Sequence, residues 1–121
     1  MRETTFGLFM IAMGMLIPGC TNNKEELLYA QPCDTSAVTY SAVIQPILRE
    51  NCYSCHSTGS STVPFDLNTY SLVRTRAANG SLWGSVSHNG TFIAMPQNAP
   101  KLSDCNLAKI KKWLNDGFPN N

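Results

Sequence analysis

The sequence holds 121 residues, 43% of them apolar and 14% charged, with nine Lys or Arg against eight Asp or Glu and a formal net charge of +1. That is enough chain for one small domain, and it is too apolar and too weakly charged for an intrinsically disordered protein. A near-neutral charge also excludes the broad basic face on which nucleic-acid binding normally depends.

Phe6 to Ile17 form an uncharged apolar run of twelve residues, preceded by Arg2 and Glu3 and followed by Pro18-Gly19-Cys20. This is the pattern of a secretion signal, and it falls short of the ~20 residues that a bilayer-spanning helix needs. Ile17-Pro18-Gly19-Cys20 resembles a bacterial lipobox, in which the Cys is acylated and becomes the first residue of the mature chain. An ordinary signal peptide cleaved nearby, leaving Cys20 as a free thiol, is the other outcome. The reading therefore divides the chain into a lipoprotein signal peptide (1–19), a polar lipid-anchored tether (20–32) and a folded domain (33–121). It places the protein in the bacterial cell envelope, as a periplasmic or outer-membrane lipoprotein. The five Cys, at 20, 33, 52, 55 and 105, then lie in an oxidising compartment, where each needs an assignment.

Within the domain, Val43, Ile44, Ile47 and Leu48 recur at helical spacing between Ser41 and Asn51. Pro46 places the start of the regular helix close to Gln45, with a loose turn before it. Gly59, Ser60 and Ser61 mark a loop. A second helix is predicted from Thr69 to Ala78, with Asn68 as N-cap, and a third from Leu82 to about His88. The last is the clearest, with Ser103 as N-cap, Leu107, Ile110, Trp113 and Leu114 on one face, and Gly117 and Pro119 at its end. With no period-two stretch between them, the expected fold is small and all-α.

The chemistry sits at Cys52-Tyr53-Ser54-Cys55-His56. A C-x-x-C-H run is the attachment signature of c-type haem: two thiols reach two vinyl groups, and the next residue supplies an imidazole to the iron. Cys52 and Cys55 are the expected haem thioethers and His56 the proximal ligand. A zinc ribbon needs a second Cys or His pair at similar spacing, and a thioredoxin-like redox pair needs a βαβ context; the sequence offers neither. With the signal removed, Met95 is the one remaining methionine. It lies 39 residues after His56, in Met95-Pro96-Gln97-Asn98-Ala99-Pro100. It is the favoured distal ligand, since a thioether is a standard partner to His in electron carriers. His88 and Lys101 are the competing side chains, and an open sixth position is the remaining alternative.

Cys52-x-x-Cys55-His56, a downstream Met95-Pro96 and a closing amphipathic helix together resemble the small monohaem class I cytochromes c, over roughly Ser41 to Phe118. Val43-Ile44-Gln45-Pro46-Ile47-Leu48 and Leu82-Trp83 are similar to a cell-envelope branch of that family, often lipoproteins. The resemblance implies about four helices around one covalent haem c, with the helix before the motif crossing the last one. The N-terminal extension and an added Cys pair depart from the pattern. Once Cys20, Cys52 and Cys55 are assigned, Cys33 and Cys105 are left to form a disulfide; the alternative for Cys105 is a small buried hydrophobe.

Phe65, Tyr70, Trp83, Phe92 and Trp113 are expected in the core or beside the haem. Arg74 and Arg76 are candidates for haem propionates or a partner, and Lys109, Lys111 and Lys112 for a docking face or a solvated helix side. The function these residues predict is one-electron transfer by a monomeric carrier, not an enzyme, between redox proteins of the envelope. A small-ligand sensor or peroxidase-like enzyme with an open iron position is the first alternative, and a thiol–disulfide oxidoreductase the second.

Overall fold

Helix formation begins at Thr39, whose extended backbone and side-chain hydroxyl, accepting from Ala42 N–H at 3.3 Å, open a wide π turn over Tyr40–Ile44. Pro46 explains the wide winding: it has no N–H to donate, and its ring crowds the carbonyl four residues back. The N–H of Gln45 instead reaches Tyr40 O, and α1 (Gln45–Asn51) continues regularly from there, as the sequence predicts. The computed structural model describes residues 32–59 and 64–121, so the signal, Cys20 and nearly all of the tether lie outside the described residues.

Three more helices follow, α2 (Tyr70–Ala78), α3 (Ser81–Val86) and α4 (Asp104–Asn115); among the described residues there is no strand, and the fold class is all-α. Two sequence expectations need correction. The N-cap of α2 is Thr69, whose hydroxyl accepts from Leu72 N–H at 3.5 Å. Asn68 is committed elsewhere, donating through its amide to Thr58 Oγ1, which itself donates to Asp66 at 2.9 Å. And α3 stops at Val86, two residues early, because His88 takes a left-handed conformation (φ 55°) that a right-handed helix cannot contain. Gly80, at φ 78°, makes the tight junction between α2 and α3, where Asn79 Oδ1 accepts from both the N–H and the hydroxyl of Ser81. Ser103 caps α4 as expected, accepting from Asn106 N–H at 3.2 Å.

The apolar stripe of α4 buries Leu107, Ile110 and Trp113, and the π turn packs against this helix while α3 touches both α2 and α4. Trp113, Ile44, Leu48, Ile110 and Val73 are the largest fully buried side chains. Around Trp113 the Tyr40 ring lies 5.7 Å and the Phe118 ring 6.1 Å away, and its indole N–H donates to Pro119 O at 3.0 Å. Asn121 reaches back to the start of the fold: its side-chain oxygen accepts from Tyr40 N–H at 2.8 Å and its carbonyl from Ser41 N–H at 2.9 Å. These are first-turn donors, which have no partner inside their own helix. Cys33 and Cys105 are disulfide-bonded, with sulfurs 2.10 Å and Cα atoms 5.3 Å apart, tying the segment before the π turn to the first turn of α4. No helix among the described residues is long and apolar enough to cross a membrane.

Tyr40 packs its ring edge-on to Tyr70 at 5.0 Å, yet its buried hydroxyl has no hydrogen-bond partner among the described residues. Burial pushes its pKa up to about 12. Tyr40→Phe keeps the ring and removes the unpaired group, so stability at neutral pH is expected to stay level or rise by about 1 kcal/mol. A Tyr whose pKa is higher folded than unfolded supports folding fully below the unfolded value of about 10 and loses that support as pH climbs toward 12. The variant should therefore lose less stability than wild type between those pH values. Urea midpoints at pH 7 and pH 11 read both effects; a lower midpoint at pH 7 would mean that the hydroxyl is satisfied.

Candidate functional site

Where α1 ends, the chain winds once around a single carbonyl. Cys52 N–H still donates to Leu48 O at 2.8 Å, closing the helix, and Cys52 O then accepts from Cys55 N–H at 3.2 Å and His56 N–H at 2.9 Å. One turn thus gathers the two thiols and the imidazole that the sequence singles out. Cys55 is exposed and Cys52 partly buried, both as free thiols, while His56 is only 7% exposed.

The backbone of Phe65 and Leu67 holds His56 in place. His56 O accepts from Leu67 N–H at 2.7 Å, and Phe65 O lies 3.4 Å from His56 Nδ1, a long but directed contact. A proton on Nδ1 facing that carbonyl leaves Nε2 as the unprotonated donor atom, the arrangement that a metal-ligating histidine needs. The Phe65 ring stacks on the imidazole with centroids 4.7 Å apart, and the Arg76 guanidinium lies 4.0 Å from the centroid of the same Phe65 ring.

Two cavities, of about 320 Å³ and 770 Å³, adjoin this turn, and Cys52, His56 and Met95 line both. Together they span the range of small-molecule and cofactor sites, roughly 300–1,000 Å³. The smaller is walled by Leu67, Leu82, Val86, Phe92 and Ile93, with Arg76 among its polar groups. The larger is bounded by Cys55 and by the segment running from Pro96 to Leu102. Gly84 of α3 accommodates the wall: a Cβ there would come 2.2 Å from Phe92 Cδ2, so the absence of a side chain is what lets the ring lie against the helix.

Met95 is fixed by its backbone, its N–H donating to Ser85 O at 3.1 Å and its carbonyl facing His88 Nε2 at 2.9 Å. Of the competing candidates, His88 lines neither cavity, and Lys101 lines the larger one alone. Comparisons with protein-family models, with curated proteins and with solved structures find no match for this chain. The site therefore has to be judged on its own atoms.

Those atoms fit a covalently held haem. An apolar slot is lined by a buried imidazole whose Nδ1 is engaged, by Met95 and by one free thiol, Cys52, while the second free thiol, Cys55, lines the adjoining larger cavity. They fit the alternatives less well. Burial, with Cys55 beside it, pushes the Cys52 thiol up to about 11, whereas a redox-active thiol works as a thiolate and needs the opposite shift. No group of three or more His, Cys, Asp or Glu among the described residues could hold a metal ion such as zinc.

The surrounding charges are less free than their sequence positions imply. Lys112 pairs with Asp116, and Lys111 Nζ sits 4.7 Å from the Trp83 ring centroid. Arg74 lies over Phe118 at 5.9 Å and away from both cavities, while Arg76 lines one. Sequence reasoning missed the roles of Phe65 O and Ser85 O, because a backbone carbonyl has the same chemistry in every residue and leaves no compositional signal.

Proposed function

We propose that this chain is a class I type cytochrome c domain, a one-electron carrier with a single covalent haem c, held in the bacterial cell envelope through an acylated Cys20. The observation that carries the reading is that one turn presents Cys52, Cys55 and a buried His56 to cavities that Met95 also lines. Cys52 and Cys55 would hold the group as thioethers, each thiol S–H having added across a vinyl double bond. His56 Nε2 and Met95 Sδ would be the donors to its iron. Bound there, the haem supplies a one-electron iron couple, with Met/His ligation favouring a higher reduction potential than two imidazoles. Leu67, Leu82 and Val86, all buried, would give the group an apolar wall, so the surroundings would rearrange little when its charge changes. Redox proteins of the envelope are the partners this chemistry requires.

The test is an optical spectrum of protein matured in a periplasm that attaches haem, oxidised and reduced, for wild type and Met95→Ala. The expected result is a covalent low-spin haem whose weak iron–sulfur charge-transfer band is present in wild type and absent from the variant. A high-spin wild-type spectrum that the substitution leaves unchanged overturns the axial assignment and favours a small-ligand sensor or peroxidase-like enzyme. Two free thiols by mass spectrometry, with no haem adduct, overturn the cofactor itself.

A further inference from the structure

We propose that His88 is a positioning residue, which clamps the backbone of Met95 so that its thioether stays presented to the cavities that His56 also lines. The inference rests on the axial role given to Met95 above and concerns what keeps it there. Ser85 O, near the end of α3, accepts from two N–H groups, that of His88 at 3.3 Å and that of Met95 at 3.1 Å. His88 Nε2, carrying a proton, donates to Met95 O at 2.9 Å and closes the ring. Both polar groups of the Met95 backbone are thereby fixed to one end of α3, leaving the side chain free to act.

The conformation of His88 supports a positioning role. Its left-handed φ of 55° is uncommon for a residue other than Gly, and such strain persists where surrounding contacts hold it. Here the left-handed turn ends α3 and coincides with the imidazole's contact to Met95 O seven residues on. The loop thus closed contains Gly90 at φ 83° and brings Phe92 and Ile93 to the wall of the smaller cavity. The clamp therefore sets the thioether and this apolar wall at once. Because His88 lines neither cavity, it does this without competing for the iron.

Two substitutions separate the hydrogen bond from the backbone. Gly accepts a positive φ freely but has no donor; Gln pays the φ penalty of an ordinary residue but carries an amide donor as many bonds from Cα as Nε2 is in His. The readout is displacement of the Met95 thioether by imidazole in the ferric haem protein, followed by loss of the iron–sulfur charge-transfer band. In His88→Gly, imidazole is expected to bind about fivefold more tightly, the factor equivalent to one neutral hydrogen bond of about 1 kcal/mol. His88→Gln is expected to return most of the way to wild type. If the band is intact and His88→Gly binds imidazole as wild type does, the clamp is overturned while the axial assignment stands. If His88→Gly resists displacement and His88→Gln does not, backbone strain is what matters, and the clamp is again overturned. A wild-type band that survives Met95→Ala but vanishes in His88→Gly overturns both readings.

Discussion

Trp113→Ala is expected to lower the stability of the domain by about 3–5 kcal/mol, close to the whole margin of a small protein. Trp113 is fully buried where α4 meets the π turn, between the rings of Tyr40 and Phe118. Truncation removes the largest apolar surface in the core, leaves a cavity between elements far apart in sequence, and strips Pro119 O of the indole N–H that bonds it at 3.0 Å. Trp113→Phe keeps much of the ring and loses the hydrogen bond, so about 1–3 kcal/mol is expected for it. Urea denaturation followed by helical circular dichroism ranks the two. A Trp113→Ala loss below about 1 kcal/mol would mean that the junction repacks, and that α4 does not depend on its partner as described.

The second large effect is that of the cystine. Replacing Cys33 and Cys105 together by Ser removes a cross-link between positions 72 residues apart. For a loop of that size the chain-entropy relation gives about 4 kcal/mol, which in a domain of this length lowers the melting temperature by roughly 20 °C. The double substitution is the proper comparison, since a single one leaves its partner as an unpaired thiol. Thermal melts of the oxidised wild type and the double variant test it. Coincident melts would reduce the bond to an incidental pairing, and the segment around Cys33 to one held by Val38 and its neighbours alone.

What was legible beforehand follows a physical line. Regular patterns within one element could be read: the stripe of Leu107, Ile110 and Trp113 with Ser103 before it, the disturbance at Pro46, and the Cys52-to-His56 run. Choices made by contacts from elsewhere in the chain could not. Asn68 and Thr69 are both good cap residues, and Thr58, ten residues upstream of Asn68, decides between them by taking the Asn68 amide. The expected extension of α3 to His88 fails because the imidazole bonds a carbonyl seven residues downstream, which no helical propensity encodes. At the candidate site the side chains were visible, whereas the carbonyls of Phe65 and Ser85 that orient two of them were not.

The reach of Asn121 to Tyr40 and Ser41 bears on how fast the molecule can form. Helices assemble from neighbours, so helical domains usually fold quickly. Here the first helical turn is completed by a residue 81 positions away from Tyr40, and Tyr70 OH finds its acceptor at Phe118, 48 positions on. Chain closure must come before those contacts can form, and its entropy falls on the barrier. These closures add an entropic cost that helices packed only on their sequence neighbours do not carry. Oxidation of Cys33 and Cys105 turns the widest of those closures into a local one.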